Sequence, residues 1–264
     1  MARFFPLFSG SSGNSMYFGN GDGGILIDIG MSAKKTTAAL QSVGIAPESL
    51  GGIFITHEHI DHVRGLRVFL KKYRVPVYAS EGTCSAILEQ GLMPEGIKPK
   101  VLGAAGVEAA GIQVRPFHTS HDCREGYGYV MSLPDGRTAA LSTDLGYLSE
   151  EVTDAISGCD LVVMESNHDV RMLQNGSYPY PLKRRILSDI GHLSNESCAE
   201  ILPRLIRKGS TRFVLAHLSR ENNLPELALE TSRAELKQNG MRENLDYALT
   251  VAPRENGAGH ISIF

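Results

Sequence analysis

A dense group of metal-ligand side chains follows a short apolar run at residues 53–55. Three histidines and an aspartate lie within six residues, a density that a plain polar loop does not explain: His57, His59, Asp61 and His62. Alternate side chains of extended backbone point the same way, so His57 and His59 face one position, and the other two reach a second position after the turn. Imidazoles beside a carboxylate favour Zn, Fe or Mn over Ca or Mg.

Four later segments repeat the pattern of an apolar run that ends in a ligand-type side chain. The candidates are His118 and His121 in the first segment, Asp144 in the second, His192 in the third and His217 in the fourth. Each of these residues, taken alone, is equally well explained as an ordinary turn or strand-end residue without a metal. Because loops at strand ends carry function on a rigid scaffold, we expect ligands from these segments to join the first cluster. The residue pattern leaves open which of the two neighbouring histidines does so.

Composition places the chain among ordinary globular proteins. Of 264 residues, 42% are hydrophobic and 21% are charged, which excludes a disordered chain. The formal net charge of -3 gives no general basic field, so nucleic-acid binding would need local basic patches. The four cysteines form no CxxC pair, which argues against a disulfide scaffold and a cysteine zinc site. We find no signal-peptide or membrane-span pattern and predict a cytoplasmic location.

Strand-type and helix-type runs alternate along the whole chain, which predicts α/β layers around one or two sheets. The predicted strands cover 4–8, 24–29, 52–56, 75–79, 112–117, 127–132, 138–142, 161–164, 212–216, 247–251 and 260–264. The predicted helices cover 32–43, 61–73, 81–90, 149–156, 182–190, 195–208 and 225–238. Glu81 is a candidate helix cap, His260 a structural residue of the last strand, and 133–137 a hairpin turn.

The histidine cluster at 56–62 resembles the signature of the metallo-β-lactamase-fold hydrolases. Asp28, His121, Asp144 and His217 follow the order of the other motifs of that superfamily. The resemblance is closer to the WalJ/YycJ-type subgroup and covers nearly the whole chain. The resemblance to this subgroup rests on the Gly-Ser-Ser-Gly-Asn-Ser loop at 10–15 and on the segments 165–169, 191–195 and 215–223.

The resemblance implies a single domain over residues 1–264, folded as a four-layer αββα sandwich with two divalent ions (Zn, Mn or Fe) at one edge. In that family pattern Asp144 bridges the ions, and Asp28 positions the site through hydrogen bonds. His121 rather than His118 fits the pattern, because an aspartate and then a Gly-Tyr pair follow it. The implied ligands are His57, His59 and His121 for the first ion, and Asp61, His62 and His217 for the second.

The resemblance also implies a chemistry. A hydroxide that bridges the ions would attack a phosphodiester, with Asp61 and Asp144 in the catalytic centre and His192 as the general acid. The subgroup is associated with 5′-to-3′ exonuclease activity, so we predict a DNA exonuclease that accepts single strands. The alternatives are a small-molecule hydrolase of the same fold (cyclic phosphodiesterase, lactonase or thioesterase) and a non-hydrolytic binding protein. The retained His192 argues against the last.

Three polar residues are predicted to contact substrate or to support the site. Asn14 belongs to the loop at 9–15, which could present backbone N–H groups to phosphate or form a plain turn. Asn167 and His168 follow a predicted buried strand and would face the site.

A basic and aromatic segment precedes His192. Lysine and arginine residues at 183–185 could contact a phosphate backbone, and Tyr178 and Tyr180 could stack on bases. The same residues could equally be a solvated helix face and packing aromatics.

Overall fold

The computed structural model describes residues 1–20, 23–256 and 262–264, and its first sheet is built largely from the N-terminal part of the chain. The strand order is β14-β1-β2-β3-β4-β5-β6. Pairing is antiparallel from β14 to β3 and parallel from β3 to β6. The strands are β1 (Arg3–Phe8), β2 (Ser15–Gly19), β3 (Gly24–Ile27), β4 (Leu50–Phe54), β5 (Val77–Ala79), β6 (Lys100–Val101) and β14 (Ser262–Ile263).

The second sheet has the same plan in the C-terminal part of the chain. Its order is β13-β12-β11-β10-β9-β8-β7, with parallel pairing from β13 to β10 and antiparallel pairing from β10 to β7. The strands are β7 (Val107–Ala109), β8 (Ile112–His118), β9 (Tyr127–Ser132), β10 (Thr138–Ser142), β11 (Leu161–Glu165), β12 (Arg212–Ala216) and β13 (Ala248–Val251). The predicted hairpin at 133–137 joins β9 to β10.

Helices flank both sheets. They are α1 (Ala33–Ser42), α2 (Ile60–Val63), α3 (Leu66–Lys72), α4 (Glu81–Glu89), α5 (Glu150–Ile156), α6 (Val170–Asn175), α7 (Tyr180–Ile186), α8 (Asn195–Arg207) and α9 (Pro225–Gln238). Ser194 caps α8 by accepting from the N–H of Ser197, and Pro225 occupies the first turn of α9, where its missing N–H costs nothing.

Three apolar clusters separate four layers. The central cluster joins the two sheets through side chains such as Phe54 and Tyr129. A second cluster packs α1, α3 and α4 on the first sheet, with Phe69 at its centre. A third packs α5, α8 and α9 on the second sheet, around residues such as Leu202. The structure therefore confirms the predicted four-layer αββα sandwich of the metallo-β-lactamase type.

Several predicted element boundaries are wrong. The helix expected over 61–73 is two helices, because Ile29 takes backbone groups that a continuous helix would pair internally: its N–H donates to the His62 carbonyl at 2.8 Å and its carbonyl accepts from the Gly65 N–H at 2.9 Å. Ser80, not Glu81, caps α4 by accepting from the N–H of Thr83. The helix expected over 182–190 is α7, which begins at residue 180 and ends at 186. Five short elements were not predicted: β2, β6, β7, α6 and a 3₁₀ helix at Pro47–Ser49.

Residues just after three strands adopt left-handed backbone. The φ angles are 60° at Asp28, 59° at Asp144 and 56° at His217. Such conformations are uncommon for residues other than glycine, and they cluster at functional sites where the surrounding structure enforces them. These residues follow β3, β10 and β12, so strand ends of both sheets are bent in the same way.

Within the described residues, no helix is long and apolar enough to span a bilayer. Residue His260, predicted to lie in a terminal strand, falls outside the described residues.

Candidate metal centre

Three histidines form the first group of the site. One ring nitrogen from each of His57, His59 and His121 lies within 4.8 Å of the others. The Nδ1 atom of His121 donates to the Gly191 carbonyl at 3.0 Å, which leaves Nε2 as the nitrogen available to the group. The loop after β4 thus meets a loop of the second sheet, as the spacing of His57 and His59 predicts for a shared position.

An aspartate and two histidines form the second group. Ligand atoms of Asp61, His62 and His217 also lie within 4.8 Å of one another. The Oδ2 atom of Asp61 is 3.5 Å from His62 Nε2 and 3.7 Å from His217 Nε2. The start of α2 therefore meets the end of β12 across the boundary between the two sheets.

Asp144 lies between the two groups. Its Oδ2 atom is 3.4 Å from His62 Nε2, and its Oδ1 atom is 3.8 Å from His121 Nε2. Its side chain is buried, and within the described part of the chain Oδ2 has no hydrogen-bond partner. Its carboxylate is therefore within reach of both groups.

Asp28 orients the first-sheet side of the site. Its Oδ1 accepts from the N–H of Thr56 at 2.8 Å, and its Oδ2 accepts from the Thr56 hydroxyl at 2.9 Å. The same Oδ2 is 2.8 Å from His62 Nδ1. Because Asp28 takes the Nδ1 side of His62, the Nε2 atom faces Asp61 and Asp144, which is the supporting geometry that the family pattern implies.

Glu165, the last residue of β11, orients histidines on the second-sheet side of the site, a role not predicted from the sequence. Its Oε1 is 2.9 Å from His192 Nδ1 and 2.7 Å from His217 Nδ1. Its Oε2 accepts from the N–H groups of Leu145 and Leu193. The available sequence signal was an acidic residue directly after the apolar run at 161–164, the pattern that the other ligand segments share. In the structure Glu165 is fully buried, and acids are almost never buried without partners.

His192 lies at the edge of the cluster. Its ring centre is 5.0 Å from that of His121 and 5.4 Å from that of His217. With Nδ1 directed at Glu165, its Nε2 is left for the cavity that the residue lines. This is a position from which a ring can exchange a proton with a bound molecule.

The charges of the site shift the pKa values of its members in opposite directions. Burial alone would lower the pKa of His62, but Asp144, Asp28 and Asp61 raise it well above its usual value. Burial likewise opposes protonation of His217, and Asp144 with neighbouring carboxylates raises its pKa to about 10. The protons on these rings occupy positions that a divalent cation would take, so binding of a metal would release protons.

The first group behaves differently. Burial lowers the pKa of His57 well below its usual value, and the nearby His62, His121 and His59 lower it further. Burial also lowers the pKa of His121, against the opposing charge of Asp144. Neutral imidazole is the form that binds metal, so the lowered pKa values of His57 and His121 favour binding of a cation by these two rings.

The loop at 9–15 contacts two of the proposed ligand residues. The N–H groups of Ser9, Gly10, Gly13 and Asn14 all donate within the protein, so these four are not available to phosphate. The Asn14 amide nitrogen lies 3.1 Å from His62 Nε2, and the Ser9 hydroxyl accepts from the N–H of His217. Ser11 is the loop residue that lines the cavity.

The two predicted polar residues after β11 differ in placement. Asn167 lines the cavity and donates through Nδ2 to the His217 carbonyl at 2.8 Å. His168 is buried, and neither ring nitrogen has a partner within the described residues. Burial lowers its pKa to about 4, so it is a neutral ring.

Other predicted residues lie outside the cluster. His118 has a side chain that is 61% exposed, and it pairs with Glu151, whereas His121 is in the first group. Tyr178 lines the cavity, but Tyr180 is exposed on α7. The Lys183 ammonium is bound to the carbonyl groups of Gln174 and Gly176, so it holds its own segment together.

The residues present fit a divalent metal. His57 Nε2, His217 Nε2 and Asp144 Oδ2 are buried ligand atoms without a hydrogen-bond partner in the described part of the chain. Unpaired buried polar atoms are costly, and a coordinated cation removes that cost. Asp144 and His217 line a cavity of about 240 Å³, together with His59 and His121 of the first group and Asp61 of the second. The chemistry of the donors, nitrogen with carboxylate oxygen, is that of Zn, Mn or Fe.

Comparison with known proteins agrees with this architecture. A family profile described as the beta-lactamase superfamily domain matches residues 24–218. The chain is 40% identical over 240 residues to exodeoxyribonuclease YycJ of Bacillus anthracis, covering 90% of each protein. It is 38% identical over 248 residues to exodeoxyribonuclease WalJ of Streptococcus pneumoniae, covering 93% of this chain and 92% of that protein.

A crystal structure shares the fold at low sequence identity. The metallo-β-lactamase-fold protein YhfI from Bacillus subtilis superposes with a TM-score of 0.74 and 14% identity, covering 99% of this chain and 98% of that one.

Proposed function

The chain belongs to the beta-lactamase superfamily and is a metal-dependent hydrolase, and from that premise we propose that it is a DNA exonuclease that uses two divalent metal ions. Two relatives of nearly equal length are named exodeoxyribonucleases, which supports DNA as the substrate. The 5′-to-3′ direction follows from the resemblance to the same subgroup.

One observation carries the proposal: seven ligand side chains from both sheets form one cluster, and five of them line one cavity. The first ion would be held by His57, His59 and His121, the second by Asp61, His62 and His217, and Asp144 would contact both. When bound, such ions lower the pKa of a water molecule and offset the negative charge of a phosphodiester.

The protein's own residues supply the remaining chemistry. Asp28 and Glu165 fix the ring orientation of His62 and His217, so the ligand nitrogens are in place before substrate arrives. Glu165 also fixes His192, whose Nε2 would donate a proton to the leaving oxygen of the cleaved strand. Asn167 and Ser11 offer polar contacts in the same cavity.

Digestion of end-labelled DNA tests the proposal. Single strands labelled at the 5′ or the 3′ end are incubated with the protein and Mn²⁺ or Zn²⁺, beside bis-p-nitrophenyl phosphate as a small diester. We expect labelled mononucleotide to be released first from the 5′ end. Intact DNA together with hydrolysis of the small diester would favour the small-molecule hydrolase instead.

Two matched histidine variants test the assigned roles. His192→Ala is expected to lower kcat by about 10²–10⁴-fold while metal content stays at the wild-type level, because the ring acts on the leaving group. His217→Ala is expected to lower metal content itself. If His192→Ala loses metal and His217→Ala keeps it, the two roles are exchanged.

A further inference from the structure

One wall of the cavity comes from α7 and the residues before it, not from the strand ends that carry the ligands. Tyr178, Leu182 and Ile186 give this wall an aromatic and apolar surface. Arg185 lies beside them, and it is the single lysine or arginine among the described residues that line the cavity. The wall thus combines one permanent positive charge with a surface against which a sugar or base can pack.

Asp122 aligns the guanidinium of Arg185. The Nη2 atom donates to Oδ1 at 2.8 Å, and Nε donates to Oδ2. This two-point pair uses the Nε and Nη2 edge of the guanidinium and leaves both N–H groups of Nη1 and the second N–H of Nη2 as a further edge for another acceptor.

Backbone hydrogen bonds fix this pair relative to the histidines. The N–H of Asp122 donates to the Ile190 carbonyl at 3.1 Å, next to the bond from His121 Nδ1 to Gly191. The N–H of His192 donates to the Ile186 carbonyl at 3.0 Å. The wall that carries Arg185 is therefore joined both to a first-group histidine and to the proposed acid, unlike an arginine on a solvated helix face.

We propose that Arg185, aligned by Asp122, forms a phosphate subsite that binds the phosphate next to the scissile one in a nucleic-acid strand. The inference rests on the proposed exonuclease function and adds the residue that distinguishes a strand from an isolated diester. Arginine matches phosphate in planar two-point contacts, and the Arg185 side chain is 44% exposed, so a strand can reach it. Asp122 is a positioning residue for this contact.

Binding measured against salt tests the subsite without relying on turnover. The metal-loaded protein is titrated with a labelled phosphorothioate single strand, which resists cleavage, at several salt concentrations. For Arg185→Ala we expect affinity to fall by about tenfold or more, the scale of one charge-assisted hydrogen bond. The slope of log affinity against log salt should become less steep by about 0.7, the value for one lost phosphate contact on a single strand.

Neighbouring variants serve as matched controls. Arg184→Ala removes the same charge one residue away, outside the cavity lining, and is expected to keep the wild-type slope. Arg185→Lys keeps the charge but not the two-point geometry, so we expect the wild-type slope with reduced affinity. Circular dichroism and metal content show whether each variant is folded and loaded.

Kinetics separate failure of the subsite from failure of the proposed function. The ratio of kcat/KM for the DNA strand to that for bis-p-nitrophenyl phosphate should fall in Arg185→Ala. An unchanged ratio and salt slope, in a wild-type protein that does cleave DNA, would overturn the subsite alone. A wild-type protein that cleaves only the small diester would overturn the exonuclease proposal and the subsite with it.

Discussion

The two sheets support the ligand cluster with one buried carboxylate each, and the two carboxylates work differently. The carboxylate of Asp28, after β3, bonds to Thr56 and His62, which belong to the same short segment as the first ligands. Glu165, at the end of β11, binds His192 and His217 and also the backbone around residues 145 and 193. The first-sheet side is thus a compact local unit, whereas the second-sheet side is assembled from distant loops.

Their pKa values reflect this difference. Burial raises the pKa of Asp28, and the bonds from His62 and Thr56 do not fully offset it. Burial would also raise the pKa of Glu165, but the charges and bonds of His192 and His217 lower it below its usual value. Glu165 is therefore more fully ionised than Asp28, and we expect the loss of its carboxylate to disturb more of the site.

The largest effect is expected for Glu165→Gln. Glutamine has one acceptor oxygen and one NH2 donor group where glutamate has two acceptor oxygens. The NH2 group must therefore face either the N–H groups of Leu145 and Leu193 or the Nδ1 atoms of the two histidines, and in both orientations hydrogen bonds are lost. We expect metal affinity to fall by about 10–100-fold, as for other groups that orient ligands. Activity at saturating metal should fall by a further factor of about 10² or more, because His192 also loses its partner.

Asp160→Asn is a suitable control for the loss of a carboxylate from the second sheet. Asp160 accepts from Thr138 at the start of β10, away from the cavity lining. Equal losses in this control and in Glu165→Gln would show a general effect of charge and not a role in the site.

A smaller effect is expected for Asp28→Asn. The amide could donate to His62 Nδ1, which would move the ring proton to Nε2 and block that nitrogen as a ligand. Metal affinity should fall by about 10–100-fold, but activity should recover at high metal concentration because His192 is untouched. Titration of activity with metal measures this, and a kcat deficit that excess metal does not restore would contradict it.

Much of the site could be predicted from the sequence because four of the ligand-type residues lie within six positions of the chain. His57, His59, Asp61 and His62 follow one strand within six residues, so their spacing alone predicts two neighbouring positions, one for the first two residues and one for the last two. The choice of His121 over His118 needed the family resemblance, because the two lie three residues apart at the end of β8 and only their tertiary contacts distinguish them.

What the sequence could not provide depends on tertiary contacts. Glu165 acts through groups at 145, 192, 193 and 217, and no local spacing reveals that convergence. The interruption between α2 and α3 arises from backbone hydrogen bonds of His62 and Gly65 to Ile29. The short strands β6 and β7 are strands only because they pair with neighbouring strands. The sandwich itself followed from the family pattern, since alternating elements indicated only α/β layers.

A moderate effect confined to the substrate wall is expected for Gly146→Ala. A Cβ at this position would lie 2.3 Å from the Asp189 backbone carbon, so the segment that leads to His192 must shift. We expect lower kcat/KM for DNA with metal content unchanged, because the ligands themselves do not lie in that segment. Elemental analysis and kinetics together check this, and loss of metal would show that the wall and the ligands are not separable.

The smallest effect is expected for His118→Ala. The side chain is 61% exposed and pairs with Glu151 at the surface, a contact of low energetic value. Metal content and activity should stay within about twofold of the wild type, as for other exposed positions away from a site. A protein that loses metal on this substitution would restore His118 as a ligand in place of His121.

Metal stoichiometry is the most direct test of the proposed centre. Protein freed of metal by a chelator is dialysed against Zn²⁺ or Mn²⁺, and bound ions are counted by elemental analysis. We predict about two ions per chain in the wild type, as two-metal hydrolytic sites hold, and about one in Asp61→Ala, whose first group is intact. No tightly bound ion in the wild type, or two ions retained in Asp61→Ala, would contradict the assignment of the two groups.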